Sequence, residues 1–204
     1  MARRGGALRE HILWVAKDVF LEMGFERASM DEVAARAETS KRSLYAHFEN
    51  KEKLYLAIID LVRGLFLAKL KTPGDYSADP EQALTLYCGR YLEILLFKAQ
   101  IQMCRISMAE AARFPEQAAQ YFDVLMMQAH GRLSAYLKKE FGLTAKESRE
   151  AAQKLLGQVL YPRYLRTLFG IDEPVEKFDA HALSRDFDLK PIRRAVKDLL
   201  ALLA

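Results

Sequence analysis

The sequence predicts an all-α protein in two parts. Residues 1–52 read as an N-terminal three-helix, helix-turn-helix domain, and residues 53–204 as a larger C-terminal helical bundle. Three observations predict this. Apolar residues recur at steps of three and four. Capping residues and glycines divide the first quarter into short helices, and prolines divide the remainder into longer ones. Strand signals are absent.

Taken in order, Leu8, Ile12, Val15, Ala16, Val19, Phe20 and Met23 form one apolar stripe, and Gly24 follows where a left-handed residue is wanted. Ser29-Met30-Asp31-Glu32 reads as a capping box, with the Ser29 hydroxyl accepting from the Glu32 N–H and the Glu32 carboxylate reaching back. The short helix it opens turns Met30, Val33, Ala34 and Ala37 to one side. Thr39 or Ser40 can cap the next helix, in which Leu44 and Phe48 face inward. Asn50 can cap a longer helix that buries Leu54, Ile58, Leu61 and Leu65. Two prolines and a glycine within 71–80 mark a loop, and Asp79-Pro80 is an N-cap and N1 pair. Helices are then expected over 80–98, 100–112, 115–141, 145–169 and 191–203. Phe114-Pro115 and Gly142 act as breaks, Thr144 to Glu147 is a second capping box, and a kink is expected at Pro162. Residues 170–190, with Pro174, read as a second loop.

The polar residues left outward in the first quarter suit DNA. Lys41 and Arg42 carry charge for phosphates or guanine edges. Thr39, Ser40 and Ser43 are short hydroxyls that allow close approach. Tyr45 and His47 can donate to phosphate oxygens. Lys51 opens a helix, where the dipole already favours an anion. Arg3 and Arg4 can reach a minor groove or the backbone, and Met30 joins this set at the start of its helix. The formal charge is only +4, so any basic surface must come from arrangement.

The string Ala34-Ala-Arg-Ala-Glu-Thr-Ser-Lys-Arg-Ser-Leu-Tyr-Ala-His-Phe-Glu-Asn-Lys-Glu-Lys-Leu-Tyr55 resembles the TetR family of bacterial repressors. Phe20-Leu-Glu-Met-Gly-Phe25 and Ala28-Ser-Met-Asp-Glu-Val-Ala34 precede it and agree. The resemblance implies a dimeric regulator whose head binds a palindromic DNA operator and whose body is a ligand-binding and dimerisation domain. Two residues depart from the pattern. Glu38 stands where the turn commonly has Gly, so the turn must form without glycine's access to positive φ. Arg42 stands where a small residue often follows the lysine, which should change base preference.

For the body, the resemblance implies a cavity for a small apolar or amphipathic molecule. Its expected walls are Tyr87, Tyr91, Met103, Met108, Phe122 and Met126, because aromatics and flexible methionines suit an apolar guest. Arg105 is the expected polar anchor. Leu156, Val159 and Leu160 form one late stripe, and Val196, Leu199, Leu200 and Leu203 another. So many leucines need cover, which predicts a homodimer through these helices.

Other classes find less support. The four histidines show no metal-ligand spacing, and no phosphate loop or nucleophile elbow is present, so no catalytic residue, metal or cofactor is expected. Cys88 and Cys104 lie in apolar stretches, consistent with a reducing cytoplasm. No run approaches the ~20 apolar residues of a membrane span, and no apolar signal region follows Arg3-Arg4. The alternative is a helical adaptor that binds proteins through its late stripes without reading DNA.

Overall fold

A computed structural model describes residues 5–177, 179 and 182–203. Among these the chain is helical, without strands; one isolated bridge pairs Phe97 with Val175. It divides into two compact units, Met1–Gly64 with Arg105–Tyr121, and Leu65–Cys104 with Phe122–Ala204. The first division falls inside a helix, beyond the boundary expected at residue 52. The first unit also takes in a stretch from the middle of the chain. Among the described residues, no helix is long and apolar enough to cross a membrane.

In the first unit, helix α1 (Gly6–Arg27) leaves helical geometry at Gly24, where φ is 75°. Glycine adopts this angle freely, and the turn beyond it carries Phe25 into the core. Helix α2 (Met30–Arg36) is capped by Ser29, whose hydroxyl accepts from the Glu32 N–H at 3.1 Å. The expected box is only half formed. The Glu32 carboxylate accepts from Arg36 Nε at 2.6 Å, and Arg36 also donates to Glu22 of α1. Of the two candidate caps for α3 (Lys41–His47), Ser40 serves, accepting from the Ser43 N–H at 3.1 Å. Asn50 caps α4 (Lys51–Lys69) through the Lys53 N–H at 2.8 Å.

The core of this unit gathers Ile12, Val19, Phe20, Val33, Leu44, Leu54 and Ile58. Phe25 packs its ring edge-on to Tyr55 and to Phe114, at centroid distances of 5.1 and 5.4 Å. Phe114 comes from the mid-chain stretch, and its neighbour Arg113 donates to Glu26 at 3.2 Å and Glu52 at 2.7 Å.

In the second unit, α5 (Pro80–Leu96) is the central helix, buried over nearly its whole length. Asp79 caps it as expected, accepting from the Gln82 N–H at 2.8 Å. Helix α6 (Lys98–Ala109) begins here. The single helix expected over 115–141 is three consecutive segments: α7 (Pro115–Phe122), a π-helical turn (Asp123–Met127) and α8 (Gln128–Phe141). No periodicity foretells one extra residue in a turn. The helix expected over 145–169 ends early. Helix α9 (Ala145–Leu160), opened by a complete Thr144–Glu147 capping box, stops before Pro162, and α10 (Arg163–Leu168) follows. Helix α11 (Lys190–Leu203) closes the chain against α5 and α9.

Arg90 and Glu93, both essentially inaccessible, pair at 2.8 Å inside a helix buried over nearly its whole length. Arg90 also donates to the carbonyls of Ala182 and Asp179, and Glu93 accepts from the Ser184 N–H. A buried ion pair tolerates this environment only with its remaining valences filled, and here the late loop fills them. Gly89 makes room for that loop: a Cβ there would lie 2.4 Å from Leu189 Cδ2.

Candidate nucleic-acid interface and ligand cavity

The outward side of α3 follows from what α3 buries. Leu44 is inaccessible and Phe48 nearly so. Their spacing of four leaves Lys41, Arg42 and Tyr45 exposed, with Ser43 and His47 half-buried at the rim. Ser40 is exposed and Thr39 half-buried. Ser40 spends its hydroxyl oxygen on the helix cap, which leaves its proton for another acceptor. Lys41 rests against Asp31 at 2.7 Å, with both side chains about two-thirds exposed. Such a pair is weak, and Lys41 can leave it for a phosphate.

The turn before α3 has the strained backbone the sequence demands. Glu38 sits at φ 50°, in the left-handed region that costs an L-residue roughly 1–2 kcal/mol. Met30 is buried, so its side chain packs in the core and does not join the exposed set. Arg3 and Arg4 lie outside the described residues.

Lys51 is held more tightly than a free phosphate donor. Its Nζ donates to the Glu26 carbonyl at 3.0 Å and lies 4.5 Å from the Phe25 ring centroid. The Arg113 guanidinium lies 4.7 Å from the same centroid. Phe25 therefore holds two cations by cation–π attraction, one at the start of α4 and one from the mid-chain stretch. Sequence reasoning missed Arg113, which shows no spacing relation to the head. It also missed Arg9, whose guanidinium lies 5.0 Å from the Phe48 centroid.

The residues expected to wall a ligand cavity fall into separate places. Tyr91 and Met126 line a cavity of about 350 Å³, together with Met127, His130, Gln153, Leu156, Gly157 and Leu160. Tyr87 and Met103 are fully buried. The Tyr87 hydroxyl donates to the Ala129 carbonyl at 2.7 Å. Met108 and Phe122 are more than half exposed. Arg105 is exposed, belongs to the first unit, and is not among the residues lining this cavity. A second cavity, of about 620 Å³, lies across α8 and is lined by Thr72, Arg132, Tyr136, Lys139 and Glu140 among others.

The late leucine stripes also turn inward. Leu156, Val159, Val196 and Leu199 are buried within the single chain, and Leu160, Leu200 and Leu203 are half-buried. Helix α9 packs on α8, and α11 on α5 and α9. Most of the leucine cover thus comes from the chain itself. Leu202 of α11 stays exposed, as do Met108, Phe122 and Met127, and a contiguous run of exposed apolar side chains surrounds α10: Tyr161, Leu165, Phe169 and Ile171, at 70, 43, 80 and 63%.

Two family models match the chain. Residues 12–58 match the family described as bacterial regulatory proteins, tetR family. Residues 82–185 match the AefR-like transcriptional repressor C-terminal domain. The HTH-type transcriptional activator FasR of Mycolicibacterium smegmatis is 45% identical over 83 residues, 36% of this chain and 37% of that protein. The HTH-type transcriptional repressor NicS of Pseudomonas putida is 33% identical over 84 residues, 41% of this chain and 39% of its own. The chain therefore spans under two-fifths of the length of these two relatives. Among solved structures, a TetR transcriptional regulator from Agrobacterium tumefaciens superposes with a TM-score of 0.70 at 20% identity, covering 96% of this chain and 93% of that one.

Proposed function

The chain belongs to the TetR family of bacterial regulatory proteins, DNA-binding transcriptional regulators and not enzymes, and from that premise we propose a cytoplasmic repressor that binds a palindromic operator as a homodimer and is released by a small ligand. The observation that carries the DNA reading is the face of α3. A short helix with a side-chain cap buries Leu44 and Phe48 and leaves Lys41, Arg42 and Tyr45 exposed side by side. Arg42 is the base reader, through bidentate donation to a guanine edge. Lys41, Tyr45, His47 and the N-terminus of α4 bind phosphates.

One α3 touches few bases. Two, spaced about 34–36 Å apart, read both halves of a palindrome. The exposed Tyr161, Leu165, Phe169 and Ile171 support a two-fold contact centred on α10 rather than on the buried leucines of α9 and α11. Repression is supported by the description of the C-terminal family match, although one relative is an activator. The cavity at Tyr91 and Met126 is the place for the ligand.

Selection of bound duplexes from a random pool tests the DNA reading. A recovered inverted repeat bound by a dimer is the expected result. Recovery of unrelated sequences, with affinity set by salt alone, would leave only non-specific binding. Reporter expression in the absence of the protein separates repression, where output rises, from activation, where it falls.

A further inference from the structure

The cavity beside the π-helical turn has a definite chemical character. Its lining holds no carboxylate, ammonium or guanidinium group, so a charged guest would lose water without gaining a counter-charge. Two thioethers, Met126 and Met127, meet it from the π-helical turn and its edge, and sulfur favours aromatic rings. Gly157 of α9 shares the lining and presents bare backbone, with nothing within 4 Å of where a Cβ would stand. A flat ring can lie there.

The polar groups narrow the choice. The Tyr91 hydroxyl spends its proton on the Leu125 carbonyl at 2.9 Å. His130 Nε2 lies 2.9 Å from the Arg149 carbonyl. A carbonyl only accepts, so Nε2–H is the donor, and in that tautomer Nδ1 carries the lone pair that can accept. Gln153 also lines the cavity and can donate or accept, so a ligand that donates can use both side chains, whereas one that only accepts can use Gln153 alone. Single π-turns recur at functional sites, and this one is pinned from α5. Tyr91 and Tyr87, four apart, bind the carbonyls of Leu125 and Ala129, also four apart.

The geometry points to an uncharged aromatic ligand bearing a hydroxyl group, its ring between the Met126 and Met127 thioethers and the open backbone at Gly157, and its hydroxyl donating to His130 Nδ1. This rests on the reading of the chain as a small-molecule sensor and names the class of molecule sensed. A volume of about 350 Å³ stands at the small end of the ~300–1,000 Å³ range of ligand sites, which suits one or two rings.

The test is calorimetric titration of the full chain, without DNA, by three probes of one shape: biphenyl-4-ol, 4-methoxybiphenyl and biphenyl-4-carboxylate. Biphenyl-4-ol is expected to bind at least tenfold more tightly than the ether, and the carboxylate most weakly. His130→Leu should abolish the preference for the phenol over the ether. Gly157→Leu should weaken all three at least tenfold while circular dichroism stays unchanged, because the position opens onto free space. The assignment is overturned if the carboxylate binds as well as the phenol, if His130→Leu keeps the preference, or if Gly157→Leu leaves affinity intact. It is equally overturned if no probe binds and Gly157→Leu dissociates a dimer in sedimentation, since a second copy then covers the cavity. Operator titration separates this from the sensor reading. Tight phenol binding with unchanged operator affinity supports the site and removes the sensor, whereas operator release by some other compound, with no phenol binding at this cavity, keeps the sensor and overturns the site.

Discussion

Glu38 holds its backbone at φ 50° to make the turn between α2 and α3, and the strain has no visible return in contacts. Glu38→Gly should raise stability by about 1 kcal/mol, seen as a higher Tm without loss of operator binding. A lower Tm would mean that the side chain stabilises the turn in some other way. Tyr55 is a second residue at odds with its surroundings. Its ring belongs to the Phe20, Phe25 and Phe114 cluster, but its hydroxyl is buried with no partner among the described residues. An unsatisfied buried hydroxyl costs about 1–3 kcal/mol, so Tyr55→Phe should be neutral or stabilising in chemical denaturation. Destabilisation beyond about 1 kcal/mol would show that the hydroxyl has a partner. The strain at Glu38 was legible because one position in a tight turn admits few residue types. The Tyr55 mismatch was not, since a tyrosine at helical spacing looks the same whether its hydroxyl is satisfied or orphaned.

At the scale of elements, a hydrophobic stripe says that a face is covered but not by what. Leu156, Val159, Val196 and Leu199 read as a dimer seam because they are apolar, periodic and late in the chain, yet the chain's own α5, α8, α9 and α11 bury them. The two readings separate by mutation. Leu199→Asp should unfold or aggregate the protein, whereas Phe169→Glu should leave a folded chain that sediments as a monomer. A folded monomer from Leu199→Asp together with an intact dimer from Phe169→Glu would return the seam to the leucines. The Arg90–Glu93 pair was invisible for a related reason. An i,i+3 acid–base pair usually marks a solvated face, and only the late loop folded over it explains its burial. Glu93→Ala removes a carboxylate from the buried Arg90 and the acceptor of the Ser184 N–H, and breaking such a buried pair should cost on the order of 3–5 kcal/mol in denaturant unfolding. A loss near zero would mean that the loop opens to water.

Over the whole molecule, legibility fell with distance from local chemistry. The head was readable almost residue by residue, because Gly24, Ser29, Ser40 and Asn50 each act within one turn of their own position. The body yielded helices and breaks but not its cavity. Tyr91, Met126, His130 and Gly157 come together only through the packing of α5, α8 and α9 and the extra residue of the π-turn. Arg105 looked like an anchor because it was the charge in an apolar stretch, and packing set it in the other unit. Family membership fixes the class of the protein, and what remains specific to this chain is the arginine at position 42 of its reader helix. The most direct measurement is mobility-shift titration of wild type and Arg42→Ala against the selected palindrome and its single-base variants. Arg42→Ala is expected to lose about 1–3 kcal/mol of discrimination at one symmetric pair of positions and to keep its preference elsewhere. If Arg42→Ala discriminates among all variants as wild type does, α3 is not the element that reads the operator through this residue.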